Sequence, residues 1–320
     1  MVYFILPIKN FYAKINLLME DHKLKVFCTV AETKSFSKTS EIIHLTQPAV
    51  SLQIQALEEL YETKLFDRSS GSITLTPAGE ILYKYAKEIL TLYAEAAKEI
   101  SKITGLIKGC VKIGAGTTVG NYILPAVAVD FKKRHPKIRV SVSIGNAKKI
   151  LEMLNSSMID FGIISETPGK SKFSVESIIS DELCVICSAD HPLCNQKSVS
   201  IYDVVKEPFV IREEGSSTRV IIERFLAEHG LSVSDLHIAL ILGSTGSIKE
   251  AVERGMGLSI VSKWAIRKEV SFGNLKILKL KEGKITRNFY IVLPKNSILS
   301  PAVEEFITYI KNYPYGDMLL

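Results

Sequence analysis

Residues 35–66 read SFSKTSEIIHLTQPAVSLQIQALEELYETKLF, and the spacing within this stretch predicts two short helices joined by a tight connection. Ser37 offers a hydroxyl that can cap the first helix, which ends near Ile43. His44, Leu45 and Thr46 form the connection, and Thr46 is placed to cap the second helix. Pro48 falls in its first turn, where a missing N–H costs little. Val50, Ile54, Leu57 and Tyr61 then recur every three or four residues, so they make one apolar stripe. The opposite face carries Pro48, Ser51, Leu52, Gln55 and Glu59, flanked by Gln47 and Gln53. A short helix that shows amides and hydroxyls at its N-terminal end suits a major groove, where such groups bond base edges. An ordinary helical hairpin with a polar outer face satisfies the same spacing.

The residues are more specific than the spacing. The run FSKTSEIIHLTQPAVSLQIQALEELYETKLFDR, residues 36–68, resembles the winged helix-turn-helix of the LysR-type transcriptional regulators. The likeness rests on Phe36, Thr46-Gln47-Pro48-Ala49-Val50-Ser51, Gln53-Ile54, Leu57-Glu58 and Leu65-Phe66-Asp67-Arg68, and continues through Leu75-Thr76-Pro77-Ala78-Gly79. It implies DNA contacts from Ser37, Lys38, Thr46, Gln47, Pro48, Ser51, Leu52, Gln53 and Arg68. Leu52 stands where many relatives carry arginine, and it suits a thymine methyl instead. The family often has arginine at the wing tip; here Ser69-Ser70-Gly71-Ser72 leaves that contact to Arg68.

Composition bounds the rest. A chain of 320 residues, 47% hydrophobic and 23% charged, is globular and long enough for two or three domains. The formal net charge of +6 permits a polyanionic partner. Through Lys108, however, thirteen Lys and Arg face twelve Asp and Glu, so DNA affinity must come from the placement of Lys38, Lys64, Arg68 and other donors. Five cysteines without framework spacing fit a reducing compartment. Cys184, Cys187, His191 and Cys194 have metal-ligand types in a C-x2-C-x3-H-x2-C order. An offset of three in a strand sends Cys184 and Cys187 to opposite faces, which favours buried thiols over a metal site. No apolar run approaches a membrane span, and VYFILPI near the start has neither a basic lead-in nor a cleavage site, so a cytoplasmic protein is expected.

Taken in order, residues 1–18 have no counterpart in the family, and Met19 is the expected start. A helix from about Asp21 to Glu32 turns Leu24, Phe27, Val30 and Ala31 inward. Winged helix-turn-helix residues 19–76 end in a hairpin of Lys64–Arg68 and Ile73–Leu75. Thr76 and Pro77 open a long helix, residues 77–105, on which Leu82, Tyr85, Ile89, Leu92 and Ala96 repeat as a coiled-coil seam. The resemblance makes it the dimerising linker, and a single helix lying on a core fits the same pattern.

Beyond a hinge at Gly105–Gly109, strands and helices alternate to the C-terminus, which predicts parallel sheets of α/β type. The resemblance implies a two-lobed, periplasmic-binding-protein-like effector domain over residues 109–320. Lobe I would take about 109–167 and 272–320, and lobe II about 172–262, with crossings near Thr167–Lys172 and Ser262–Ser271.

Three strand-to-helix turns in this half carry hydroxyls: Gly114 to Thr118, Gly215 to Thr218, and Gly243 to Gly246. Helix starts expose unpaired N–H groups and positive partial charge, and hydroxyls add donors. If Thr117, Thr118, Ser216, Ser217, Thr218 and Thr245 converge on one cleft, it suits a small anion held by neutral donors; if each merely caps its own helix, there is no site. Arg219 either adds charge there or lies exposed on its helix.

Gly114, Gly116 and Gly120 miss the dinucleotide spacing, no Walker lysine follows, and G-x-S-x-G and H-E-x-x-H are absent. No catalytic set and no cofactor is implied. The expected protein is a promoter-binding regulator, a homodimer or homotetramer, modulated by a small anionic effector. The stretches LGSTGSIKEAVERGMGLSIVSKWAI and IREEGSSTR resemble members tied to sulfur or selenium metabolism. The alternative is a two-lobed solute-binding protein or enzyme with an unrelated N-terminal module.

Overall fold

Helix α1, residues 22–33, opens the part of the chain described by the computed structural model, which covers residues 22–43, 45–68, 73–104, 107–168, 172–295, 297 and 299–318. The expected N-terminal extension and the wing turn 69–72 lie outside the described residues. The chain divides into two units, one made chiefly of residues up to Ile107 and one beginning at Lys108.

In the first unit Val26, Phe27 and Val30 of α1 are fully buried with Val50 and Ile54. Helix α2 spans Phe36–Ile43 and α3 spans Gln47–Leu60. The cap of α2 is Ser35, whose Oγ accepts from the Lys38 N–H at 3.2 Å, and not Ser37 as the sequence suggests. Thr46 does cap α3, accepting from the Ala49 N–H at 3.4 Å. The stripe on α3 also needs correction at its end. Tyr61 is half exposed, whereas Glu58 is buried beside Leu57. The reason is the wing strand β1, Phe66–Asp67, and the residues leading into it. Glu58 accepts from the Leu65 N–H at 3.0 Å and from Lys64 Nζ at 2.8 Å, satisfying groups that no helix or strand would pair.

Strand β2, Thr74–Leu75, pairs antiparallel with β1, Leu75 opposite Phe66. Thr76 then ties the wing to helix α4, Pro77–Thr104: its Oγ accepts from the Gly79 N–H at 3.0 Å and donates to the Lys64 carbonyl at 2.7 Å. Gly79 is required by this approach, because a Cβ there would lie 2.1 Å from the Leu65 carbonyl oxygen.

In the second unit the strands are β3 (Gly109–Ala115), β4 (Ile138–Ile144), β5 (Phe161–Ile164), β6 (Phe173–Ser188), β9 (Ser259–Ser262), β10 (Leu275–Leu278) and β11 (Ile285–Pro294). They form one sheet in the order β10-β6-β11-β5-β3-β4, with β9 also on β6. Strands β7, Pro208–Arg212, and β8, His237–Leu242, pair separately and in parallel. The main sheet is mixed, which corrects the expectation of parallel sheets: β3 is parallel to β4 and β5, while β6, β9, β10 and β11 join antiparallel.

Strands β6 and β11 run side by side along the whole of β11 and carry the chain between the two lobes. Toward β5 they pair Ser174–Ser177 with Tyr290–Leu293; toward β9 and β10 they pair Asp181–Leu183 with Ile285–Arg287. Both passages therefore lie later than Thr167–Lys172 and Ser262–Ser271, because β10 still pairs with the far end of β6 before the chain returns. The sequence missed the first half of β6 since Ser174 to Ser177 is exposed and lacks an apolar alternation.

Lobe I packs α5 (Leu124–Arg134), α6 (Ala147–Asn155) and α11 (Pro301–Lys311) on β3, β4 and β5, with Phe131 edge-on to Phe306 at 4.7 Å. Lobe II carries α7 (Ile201–Val204), α8 (Ser217–Glu228), α9 (Thr245–Glu253) and α10 (Arg267–Phe272). Strand β6 serves two cores there. Leu183, Val185 and Cys187 face the cluster holding Phe225 and Leu226, and Cys184 and Ile186 face the cluster holding Ile248 and Val252. The two cysteines thus point apart, so Cys184 stands away from the other members of the C-x2-C-x3-H-x2-C motif.

Candidate functional site

The exposed face of α3 presents Gln47, Pro48 and Leu52, with Thr46, Ser37 and Lys38 also exposed beside it. Leu52 is 65% exposed, so its methyl groups are open to contact from outside the chain. The Ser37 hydroxyl donates to Gln47 Oε1 at 3.1 Å, which leaves the Gln47 amide nitrogen to donate outward. Ser51 is half-buried. Gln53 is half-buried as well, and its Oε1 is buried without a partner. Arg68 does not project freely from the wing; its guanidinium lies 4.4 Å above the Phe36 ring, a cation–π contact that holds it against α2. Lys64 is spent on Glu58.

On α4, Tyr85, Ile89 and Leu92 are exposed, and Ile81, Ile100 and Ile103 extend their stripe. Leu82 departs from the expected seam: it is half-buried against the helix-turn-helix core, and Ile81 takes its place outside.

The hydroxyl turns of the second unit meet around two buried arginines. Arg287 stands on β11 between inward-facing Ile285 and Phe289, directly across from Asp181 on β6. Its Nε donates to Asp181 Oδ2 at 2.7 Å, Nη1 to Thr218 Oγ1 at 3.2 Å, and Nη2 to Thr118 Oγ1 at 3.0 Å. One guanidinium therefore joins the first turn of lobe I to the start of α8 in lobe II, at the strands that cross between them. Asp181 also accepts from the Ser262 hydroxyl at 2.7 Å. Arg212, at the end of β7, donates through Nη1 to Thr245 Oγ1 at 3.2 Å and through Nε and Nη2 to Glu213 at 2.7 and 2.8 Å.

Of the six predicted residues, Thr118, Thr218 and Thr245 thus touch the two guanidinium groups, Ser216 is buried near them, and Thr117 and Ser217 are half-buried. Capping does not explain these three threonines. Ser244 is the residue that caps α9, accepting from the Ser247 N–H at 3.0 Å. Arg219 turns away to Glu223 at 2.8 Å and to the Arg212 carbonyl, so it supports β7 and adds no free charge. Arg287 also lines a cavity of about 490 Å³, which runs between the loop Ser165–Thr167, the α8 residues Val220, Ile221 and Arg224, and Thr286, Asn288 and Tyr290 of β11.

Burial dominates the electrostatics here. It pushes the Asp181 carboxyl up, against the opposing effect of Arg287 and the Ser262 hydroxyl, and it pulls the Arg287 guanidinium down against Asp181. Glu213 is held below its ordinary value, first by its hydrogen bonds from Arg212. The chemical consequence lies in the hydroxyls. A threonine has one hydrogen; when its oxygen accepts from arginine, that hydrogen is left to point elsewhere. Each of these threonines accepts from a guanidinium that is itself paired with a carboxylate, Asp181 or Glu213, so two ion pairs stand behind the hydroxyls that the sequence singles out. Both arginines do leave a trace in the chain. PFVIR and ITRNF each place arginine at a position whose neighbours in phase are buried and apolar.

Similarity to known proteins follows the same division. Residues 22–80 match the family model described as bacterial regulatory helix-turn-helix protein, lysR family. Residues 104–314 match the LysR substrate binding domain. The chain is 35% identical over 302 residues to the HTH-type transcriptional regulator CysL of Bacillus subtilis, covering 92% of this chain and 98% of that one. It is 32% identical over 289 residues to the HTH-type transcriptional activator CmpR of Synechocystis, covering 90% and 94%. Among solved structures, the Synechocystis CcmR regulatory domain in complex with 2-PG superposes with a TM-score of 0.59 at 28% identity, over 64% of this chain and 96% of that one. Full-length BenM, at 22% identity and a TM-score of 0.58 over 93% of this chain and 97% of that one, shares the fold.

Proposed function

We propose, from the premise that this chain belongs to the LysR family of transcriptional regulators, that a small anion bound between its two lobes sets its affinity for promoter DNA. As a member of that family it binds promoter DNA, responds to an effector, forms oligomers and works in the cytoplasm with the DNA it reads. The observation that carries the anion is the convergence of Thr118, Thr218 and Thr245 on buried Arg287 and Arg212. A relative's regulatory domain in complex with 2-PG supports the same reading.

An anion entering this cleft accepts from hydroxyls already oriented by the guanidinium groups, and both lobes contribute to its shell. Closure around it is favoured in proportion to its differential affinity for the closed form, which is how the effector shifts a two-state regulator. For the DNA-reading residues we assign Gln47, Ser51 and Leu52 to base edges and Ser37, Lys38, Thr46, Pro48 and Arg68 to positioning on the backbone. Gln53, half-buried, stands at the edge of that set. The dimer seam is assigned to Tyr85, Ile89 and Leu92, with Leu82 beneath it. Residues 19–76 then read DNA, 77–105 pair, and 109–320 sense.

Calorimetric titration of the full chain with 2-PG, sulfate, thiosulfate, selenate, O-acetylserine and simple carboxylates tests the reading. At least one anion should bind and change the apparent Kd for operator DNA. If no anion of the panel binds, the anion cleft is wrong.

A further inference from the structure

Cys187 and Cys194 stand apart from the other three cysteines. Cys187 is the last residue but one of β6 and is fully buried, and Cys194 sits in the short 3-10 turn Pro192–Asn195, half-buried. Their sulfurs are 3.0 Å apart, well inside van der Waals contact for two thiols. The turn between them is fixed by the backbone. The His191 N–H donates to the Ser188 carbonyl at 3.2 Å, and the Cys194 N–H donates to the His191 carbonyl at 2.9 Å. Side chains hold it too: the His191 ring nitrogen Nδ1 accepts from the Leu193 N–H at 3.2 Å, and Cys194 Sγ donates to the Ser188 carbonyl at 3.4 Å. The short loop needs almost no search to bring the sulfurs together. Cys184, three residues before Cys187, points to the other face of the strand and into another core, so it does not compete.

We infer that Cys187 and Cys194 are a disulfide-forming pair and that the co-substrate is a hydroperoxide. The half-exposed Cys194 thiolate attacks the terminal peroxide oxygen. The O–O bond breaks, the departing alkoxide or hydroxide takes up the proton that the Cys194 thiol gave up and leaves as alcohol or water, and Cys194 becomes a sulfenic acid. Cys187 sulfur then attacks the Cys194 sulfur and the S–O bond breaks. The departing hydroxide takes the Cys187 proton and leaves as water, so one hydroperoxide is reduced and two thiols lose two electrons. Burial pushes the Cys187 thiol up and so lowers its thiolate fraction, which leaves the first step to the half-exposed Cys194. The product ties the turn covalently to the end of β6, where Cys187 is paired in register with Lys276 of β10.

The test uses the reduced full chain, a stoichiometric addition of hydrogen peroxide, denaturation, alkylation with N-ethylmaleimide and tryptic digestion. Cleavage after Lys172 and Lys197 puts Cys184, Cys187 and Cys194 on one peptide, residues 173–197. The expected result is loss of two of the three alkylations on that peptide together with two hydrogens, with Cys184 still alkylated. Dithiothreitol should restore all three. Cys194→Ser, a half-exposed turn position, should keep the native circular dichroism and retain both remaining alkylations under the same dose, and Cys184→Ser should still close the bridge. Three alkylations in the treated wild type, a bridge that includes Cys184, or a crosslink between chains overturns the pair.

Discussion

The proposed DNA-reading face and the proposed effector cleft are built in opposite ways. On α3 the side chains assigned to DNA lie within a few residues of one another and point to solvent, so Gln47 and Leu52 cost little to hold there. In the cleft the groups assigned to it come from β11, β6, β7, the first turn of lobe I and the starts of two helices, and both arginines are buried. A buried cation survives only with its hydrogen-bond capacity filled. The cleft is therefore bound up with the stability of its unit, while the reading face can change without touching the core.

The largest effect should come from breaking the buried pair. Arg287→Met leaves Asp181 buried with only Ser262, and should cost about 3–5 kcal/mol in urea unfolding of the second unit. Adding Asp181→Leu should recover most of that loss, because no unpaired charge remains. A single variant as stable as wild type would mean that the pair contributes no more than an exposed one.

The linker sharpens the contrast from the other side. Ile89→Asp puts a charge on the exposed stripe of α4 and should yield monomers by light scattering. Affinity for a two-half-site operator should fall roughly a hundredfold, as the second half-site contact is no longer intramolecular. A dimer that survives this change places the interface elsewhere.

On the reading face, Gln47→Ala should cost about 1–3 kcal/mol of discrimination between operator and random duplex and leave thermal stability unchanged. Arg68→Ala should weaken all sequences alike, and it should also lower stability by about 0.5–1 kcal/mol through loss of its contact with Phe36. Equal losses on both duplexes for Gln47→Ala would remove it from the reading set.

The smallest effect concerns Glu58. Burial raises its pKa, but the Lys64 ammonium and the N–H groups of Leu65 and Phe66 outweigh that and hold it below the ordinary carboxylate value. Its contribution is thus present above the unfolded pKa and lost as pH falls through the lower folded value. Glu58→Gln should melt below wild type at pH 7, and the gap should close on acidification to about pH 4 and below. A gap that does not change with pH would assign the effect to packing alone.

How much of this could be read from the chain follows the same contrast. The helix-turn-helix was legible because its information is local: Thr46, Pro48, Val50 and Ile54 set cap, first turn and stripe within nine residues. Errors there came from side chains reaching across the fold, as when the residues leading into the wing recruit Glu58 and leave Tyr61 outside. In the cleft the threonine turns were legible from their glycines and hydroxyls, but their partners were not. Arg287 lies 169 residues from the Thr118 it bonds, and no spacing rule connects them. The first half of β6 was missed because its exposed residues carry no apolar alternation and are held by pairing with β11.

In the proposed cleft, threonine hydroxyls oriented by buried arginines hold the anionic effector. The most direct test is the affinity of the anion found in the titration panel for wild type, Thr118→Ser and Thr118→Val. Serine keeps an oxygen that accepts from Arg287 and a hydrogen that donates to the ligand; valine keeps the shape and loses both. Thr118→Ser should bind within about twofold of wild type, and Thr118→Val should lose about 1–3 kcal/mol of effector affinity. A Thr118→Val chain that binds the anion as tightly as wild type would contradict this role of the hydroxyls.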